Sequence, residues 1–119
     1  HSVMLHTSKG PQDPRMRAQG PDGEPVSGRE LGHALAQVVE AVLRQHRLQR
    51  LLLSGGDTSS WITQKLKPEA LQVMARLDRG APLCRLISSQ PHLKDLEVAL
   101  KGGQMGQADY FVKAKNGRP

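Results

Sequence analysis

The chain has 119 residues, 37 % of them hydrophobic, and carries 17 Lys and Arg against 11 Asp and Glu for a formal charge of +6. That is room for one compact domain, and one cysteine, Cys84, with five scattered histidines excludes a disulfide framework or a metal cluster of familiar spacing. No stretch reaches the roughly 18 apolar residues of a membrane span, and no signal peptide is visible.

In chain order, SVMLHT (2–7) reads as a short strand. Residues 10–28 are rich in Pro, Gly and charge, the composition of a flexible or partly disordered loop. Ser27 and Glu30 have capping-box spacing, and Leu31, Ala34, Leu35, Val38, Val39 and Val42 follow as a helical stripe that should fade near Gln45–Gln49. Leu51–Leu53 is a continuous apolar run, typical of a strand covered on both faces. A second helix is predicted from Thr58 to Lys67, stopped by Pro68, with Asp57 or Thr58 as its cap and Trp61 packing it on the sheet. Strands are predicted at 70–77, 82–89 and 96–102, and a last helix at 106–115. Strands alternating with helices indicate an α/β fold: a layered sheet, parallel or mixed, of about 4–5 strands with helices packed on its faces.

The positive charge favours anionic partners. Its bearers are dispersed, however, and the aromatic residues are only Trp61, Tyr110 and Phe111. A nucleic-acid surface would concentrate basic residues and interleave them with stacking rings, so nucleic acid and membrane are set aside in favour of a small phosphorylated ligand.

Three strand ends carry the chemistry. In LLLSGGDTSS (51–60) an apolar run stops at two glycines, which let a ligand approach the backbone, and the following helix presents free amides and its positive dipole end. The same residues also describe an ordinary strand–helix turn with an aspartate cap. The stretch is neither a Walker A loop nor G-x-G-x-x-G. LEVALKGGQMG (96–106) repeats the device with Lys101 before the glycines, and HTSKGPQDPR (6–15) places Ser8 and Lys9 after the first strand. In an open α/β sheet ligands sit at the carboxyl ends of strands, so the three loops could line one crevice.

HTSKGPQDPR, LLLSGGDTSS, GAPLCRL and LEVALKGGQMGQADYF together resemble the C-terminal nucleotide-binding domain of the four-carbon acid sugar kinase family, in order and approximate spacing. The resemblance spans the chain apart from residues 16–28. It implies that residues 1–119 form a single nucleotide-binding domain, the C-terminal half of an ATP-dependent kinase acting on threonate, erythronate or 3-oxo-tetronate-type acids. ATP contacts carry over onto Ser8, onto Gly55, Gly56, Asp57 and Thr58, and onto Gly103. Gly102 stands where many relatives have serine. Mg²⁺ is implied as the companion of ATP, with Asp57 as its candidate contact and no metal cluster of the protein's own; Lys9 and Lys101 are candidate charge stabilisers. The sugar acid and any catalytic base would belong to an N-terminal domain that this chain lacks, so the chain alone is expected to be inactive. A chain that opens on His rather than Met agrees with a domain excised from a longer polypeptide. The implied protein is cytoplasmic, and a homodimer is open. The competing reading is a non-catalytic anion- or partner-binding α/β module with a basic surface.

Overall fold

The computed structural model describes residues 2–6, 28–103 and 105–119. Ser8, Lys9, the Ser27 cap and residues 10–27 of the expected loop lie outside the described residues. Within them, α1 (Gly28–Gln45) is followed by β1 (Arg50–Ser54), α2 (Gly56–Leu66), β2 (Ala70–Asp78), β3 (Ala81–Ile87), a 3₁₀ turn (Pro91–Leu93), β4 (Glu97–Lys101) and α3 (Tyr110–Asn116). The four strands form one mixed sheet in the order β1-β4-β3-β2. β1 and β4 run parallel, and β3 is antiparallel to both β4 and β2. The expected α/β layered fold is present. Of the strand expected at 2–7, the described residues Ser2–His6 are exposed and pair with none of the described strands, and an apolar segment without a ladder partner has nothing to satisfy its backbone as a strand.

Alternation along the strands divides the core between the two faces of the sheet. On one face, Ala36 and Leu43 of α1, Ile62 and Leu66 of α2, Leu53, Leu86 and Val98 pack together. On the other, Tyr110 and Ala114 of α3 cover Leu77, Ala81, Leu83 and Ala99. Leu51–Leu53 thus has helices above and below, as its unbroken apolar run predicted.

The buried face of α1 differs from the expected stripe. Leu31, Val38 and Val42 remain exposed, whereas Gly32, Ala36 and Leu43 are buried with Leu35 and Val39 beside them. The reason is close approach. A side chain on Gly32 would occupy the place of the Trp61 ring, so the ring seats where α1 has no side chain. Trp61 thus packs its helix on α1. Gly32→Ala is expected to destabilise the chain by about 1–3 kcal/mol through overpacking, despite alanine's better helix propensity, and a urea midpoint would measure it.

β2 contains two register shifts. Val73 stands opposite Cys84 but Ala75 opposite Leu83, and Arg76 stands opposite Pro82 but Asp78 opposite Ala81. Leu71, Val73, Ala75 and Leu77 alternate perfectly in sequence, yet the first shift sends Leu71 to the α1–α2 side and Ala75 and Leu77 to the α3 side.

Candidate nucleotide site

β1 and β4 are neighbours in the same direction, with Ser54 paired to Lys101. Their carboxyl ends therefore emerge side by side, and the two glycine-rich loops begin one residue later. The Gly55 amide donates to the Lys101 carbonyl at 2.9 Å, stitching the loops together. Gly55 has φ 103°, a value that side chains rarely adopt, and it turns the chain abruptly into α2. The helix consequently starts at Gly56, two residues earlier than predicted. The cap position is Gly55 and not Asp57 or Thr58, while Asp57 sits exposed in the first turn. The amides of Gly56, Asp57 and Thr58 fall in that first turn, where no preceding helical carbonyl is available.

A cleft of about 270 Å³ opens beside this helix start, walled by Gly56, Ser59 and Thr63 of α2, floored by Leu100, and closed by Lys101 and by Gly80 of the β2–β3 turn. Three features fit a nucleotide's phosphates. Among the described residues, a Cβ built on Gly56 or on Gly103 meets nothing within 4 Å. The Ser59 Oγ atom is buried, on a residue of the cleft wall, without a hydrogen-bond partner among the described residues. The Lys101 side chain bends back over the sheet edge, its Nζ 3.1 Å from the Gly102 carbonyl, 3.4 Å from Ser54 Oγ and 5.9 Å from the centre of the Tyr110 ring. It bridges the two loops and does not extend into solvent.

Of the residues carried over by resemblance, Gly55, Gly56, Asp57 and Thr58 are consecutive at the start of α2, and Gly103 lies one residue beyond the cleft-lining Gly102. Ser8 lies outside the described residues. Trp61 does not line the cleft; its ring is committed to α1.

Sequence reasoning assigned the β2–β3 turn no role beyond the GAPLCRL motif that begins at Gly80. Asp78, at the end of β2, accepts the Gln107 amide at 2.9 Å and the Arg79 amide at 2.8 Å, with Lys113 Nζ at 3.7 Å. Those two amides, and then the Lys113 charge, hold the Asp78 carboxyl below its ordinary value. Its contribution to folding is complete above the unfolded carboxylate value near ~3.9 and is lost as pH falls through the lower folded one. Burial, and then the Asp78 charge, push the Tyr110 phenol up. Because the Gln107 amide is tied to β2 and Gly106 takes φ 94°, residues 105–109 form a loop and α3 begins at Tyr110 instead of Gly106.

The family model described as a nucleotide-binding C-terminal domain matches residues 1–111. This chain belongs to that family, as a C-terminal domain of the four-carbon acid sugar kinases. Similar curated proteins include a 3-oxo-isoapionate kinase of Paraburkholderia graminis, 37 % identical over 98 % of this chain and 26 % of the relative. A 3-oxo-tetronate kinase of Pseudomonas savastanoi pv. phaseolicola is 30 % identical over 95 % of this chain and 25 % of the relative. The nucleotide-binding domain thus spans about a quarter of the length of these curated relatives. Among solved structures, a Haemophilus influenzae protein superposes with a TM-score of 0.63 at 25 % identity, covering 82 % of this chain and 21 % of that one. A Bordetella bronchiseptica domain, crystallised as a domain-swapped dimer with citrate, reaches 0.67 at 21 % identity over 75 % of this chain and 22 % of its own; at that identity the likeness is one of fold.

Among the described residues no helix is long and apolar enough to cross a membrane, and no group of three or more His, Cys, Asp or Glu could hold a metal ion.

Proposed function

We propose that this domain supplies nucleotide-binding residues of an ATP-dependent kinase whose substrates are four-carbon sugar acids of the 3-oxo-tetronate type. The observation that carries the reading is the meeting of two glycine-rich loops at the ends of adjacent parallel strands, stitched by the Gly55–Lys101 bond, with space among the described residues at Gly56 and Gly103. The kinase names of relatives that match almost the whole chain support it.

On this reading the bound nucleotide supplies the transferable phosphoryl group, with Mg²⁺ on its phosphates. The chain's own work is positioning and charge neutralisation. The amides of Gly56, Asp57 and Thr58 would donate to the phosphate oxygens, and the positive end of α2 would add to their effect. Gly55 makes the turn that aims them, Gly103 presents backbone from the opposite loop, and Ser8 completes the carried-over set. Lys101, already spanning the loops, neutralises charge that develops between them. The sugar acid and the base that activates its hydroxyl belong to a second, N-terminal domain, and the working enzyme is cytoplasmic. A homodimer is compatible with this arrangement.

Calorimetric titration of the chain with Mg²⁺ and a non-hydrolysable ATP analogue, beside Gly56→Val, tests the reading. Unchanged affinity with bulky residues at Gly55, Gly56 and Gly103 would favour the non-catalytic module instead. Asp57, the acidic residue of the first turn of α2, is assigned to the metal. Asp57→Asn should therefore flatten the dependence of nucleotide affinity on Mg²⁺ by about tenfold; an unchanged Mg²⁺ titration would remove Asp57 from the metal.

A further inference from the structure

We infer that the tip of the β2–β3 hairpin positions the second glycine-rich loop, with Asp78 as the positioning residue and Met105 as a peg seated on Gly80. The inference rests on the nucleotide reading and extends it to residues outside both glycine motifs.

Gly102, Gly103 and residues 105–107 belong to no helix or strand, so something must hold them where Gly103 can serve a ligand. Their own short-range bonds include the Met105 amide on the Gly102 carbonyl at 3.1 Å. The remaining restraint comes from the hairpin tip. Asp78 Oδ2 takes the Gln107 amide while Oδ1 takes the Arg79 amide, so one carboxylate joins the loop to the turn of the hairpin. The second register shift of β2 places Asp78 opposite Ala81, on the side where the loop passes; re-aiming a side chain is a recognised use of such irregularities. Carboxylate–amide bonds are charge-assisted and directional.

The second restraint is steric. Met105 Cε lies 2.6 Å from where a Cβ on Gly80 would be, and Met105 Cγ lies 3.3 Å from the equivalent point on Gly102. Glycine at both places makes the slot into which Met105 fits, and Gly80, at φ 68°, holds a conformation that suits glycine. Beyond it Gly106 passes over the Lys101 stem, whose Cε is 2.9 Å from a Cβ imagined there. Seating the loop therefore also confines Lys101. Asp78, Gly80, Met105 and Gly106 form one connected device between the hairpin and the proposed phosphate loop.

The test compares wild type, Asp78→Asn and Met105→Ala in the full chain, by titration with Mg²⁺ and a non-hydrolysable ATP analogue and by residue-resolved amide exchange. A neutral carboxamide offers one oxygen and cannot serve both amides, and Met105→Ala empties the slot without touching the carboxylate. Each variant is expected to bind at least about tenfold more weakly, with faster exchange at Gln107 and unchanged exchange in α1. A merely structural role would instead raise exchange throughout and leave the affinity of the folded fraction unaltered. Faster exchange at Gln107 with affinity within about twofold of wild type would overturn the positioning role alone. Wild type that binds no nucleotide would overturn the nucleotide reading, and this inference with it. Should Asp78→Asn fail to fold, Met105→Ala decides.

Discussion

Gly56→Val is expected to weaken binding of a non-hydrolysable ATP analogue by at least about a hundredfold, roughly 2.8 kcal/mol, with little change in the unfolding midpoint. The position makes the two effects separable. A Cβ at Gly56 meets no atom of the described residues within 4 Å, and Gly56 is not among the glycines of positive φ, so the described fold accepts a side chain at this point. Valine in the first turn of α2 replaces the poorest non-proline helix former, and its propensity effect is below about 1 kcal/mol. The same open space is where a phosphate would stand, with its oxygens about 3 Å from the first amides of α2. Two methyl groups there displace the ligand and forfeit bonds to a charged group, each worth about 1.5–3 kcal/mol. Gly55 would be a poorer choice: at φ 103° any side chain strains the turn, and lost binding could not be separated from lost structure. Normal affinity in Gly56→Val, measured by calorimetry, would place the ligand elsewhere or remove it.

Arg50→Met is expected to do the reverse, lowering stability by about 3 kcal/mol while leaving the affinity of the folded protein intact. Arg50 opens β1, at the end of the strand opposite Ser54. Its guanidinium pairs with Glu97, the first residue of β4, with Nε 2.7 Å from Oε2 and Nη2 closer still. The remaining donor, Nη1, reaches the carbonyls of Ala114 at 3.0 Å and Lys115 at 2.6 Å, in the last turn of α3. Both charged side chains are about five-sixths covered, at 15 % and 16 % exposure. Removing one leaves the other poorly solvated and unpaired, and two helix carbonyls lose their donor. Three elements come loose at once. Denaturant unfolding of Arg50→Met, Glu97→Gln and the double variant would measure the coupling; a double variant no better than the sum of the singles would show that the pair is not what Arg50 contributes. The two ends of β1 thus have different work, one tying β4 and α3 to the sheet and the other delivering Gly55 to the cleft.

The strands and helices between residues 28 and 116 were legible because most carry a short apolar run or a helical period, and Gly or Pro marks several of their boundaries. Pro68 does end α2, and the GGD stop does sit where β1 ends. The site was legible to the extent that it is contiguous. Gly55 to Thr58 form one loop, and Lys101 to Gly103 another. Misreadings occurred where a residue's setting depended on a neighbour distant in sequence. The large apolar residues of α1 suggested its buried face, but the Trp61 ring seats on Gly32, where any side chain would take its place. Ser2–His6 have a strand's composition without a strand's partner.

By itself, then, the sequence determined that this is a small α/β domain with glycine-rich loops at strand ends, suited to an anionic ligand, because period, turn chemistry and glycine content are local properties. Only the tertiary structure decided that β1 and β4 are parallel neighbours, so that the two loops share one edge. It also decided that Asp78, Gly80 and Met105 belong with them. The register shifts of β2 are the physical reason: a one-residue slip sends a side chain to the other face of the sheet, and no local pattern in ALQVMARLD records where the slip falls.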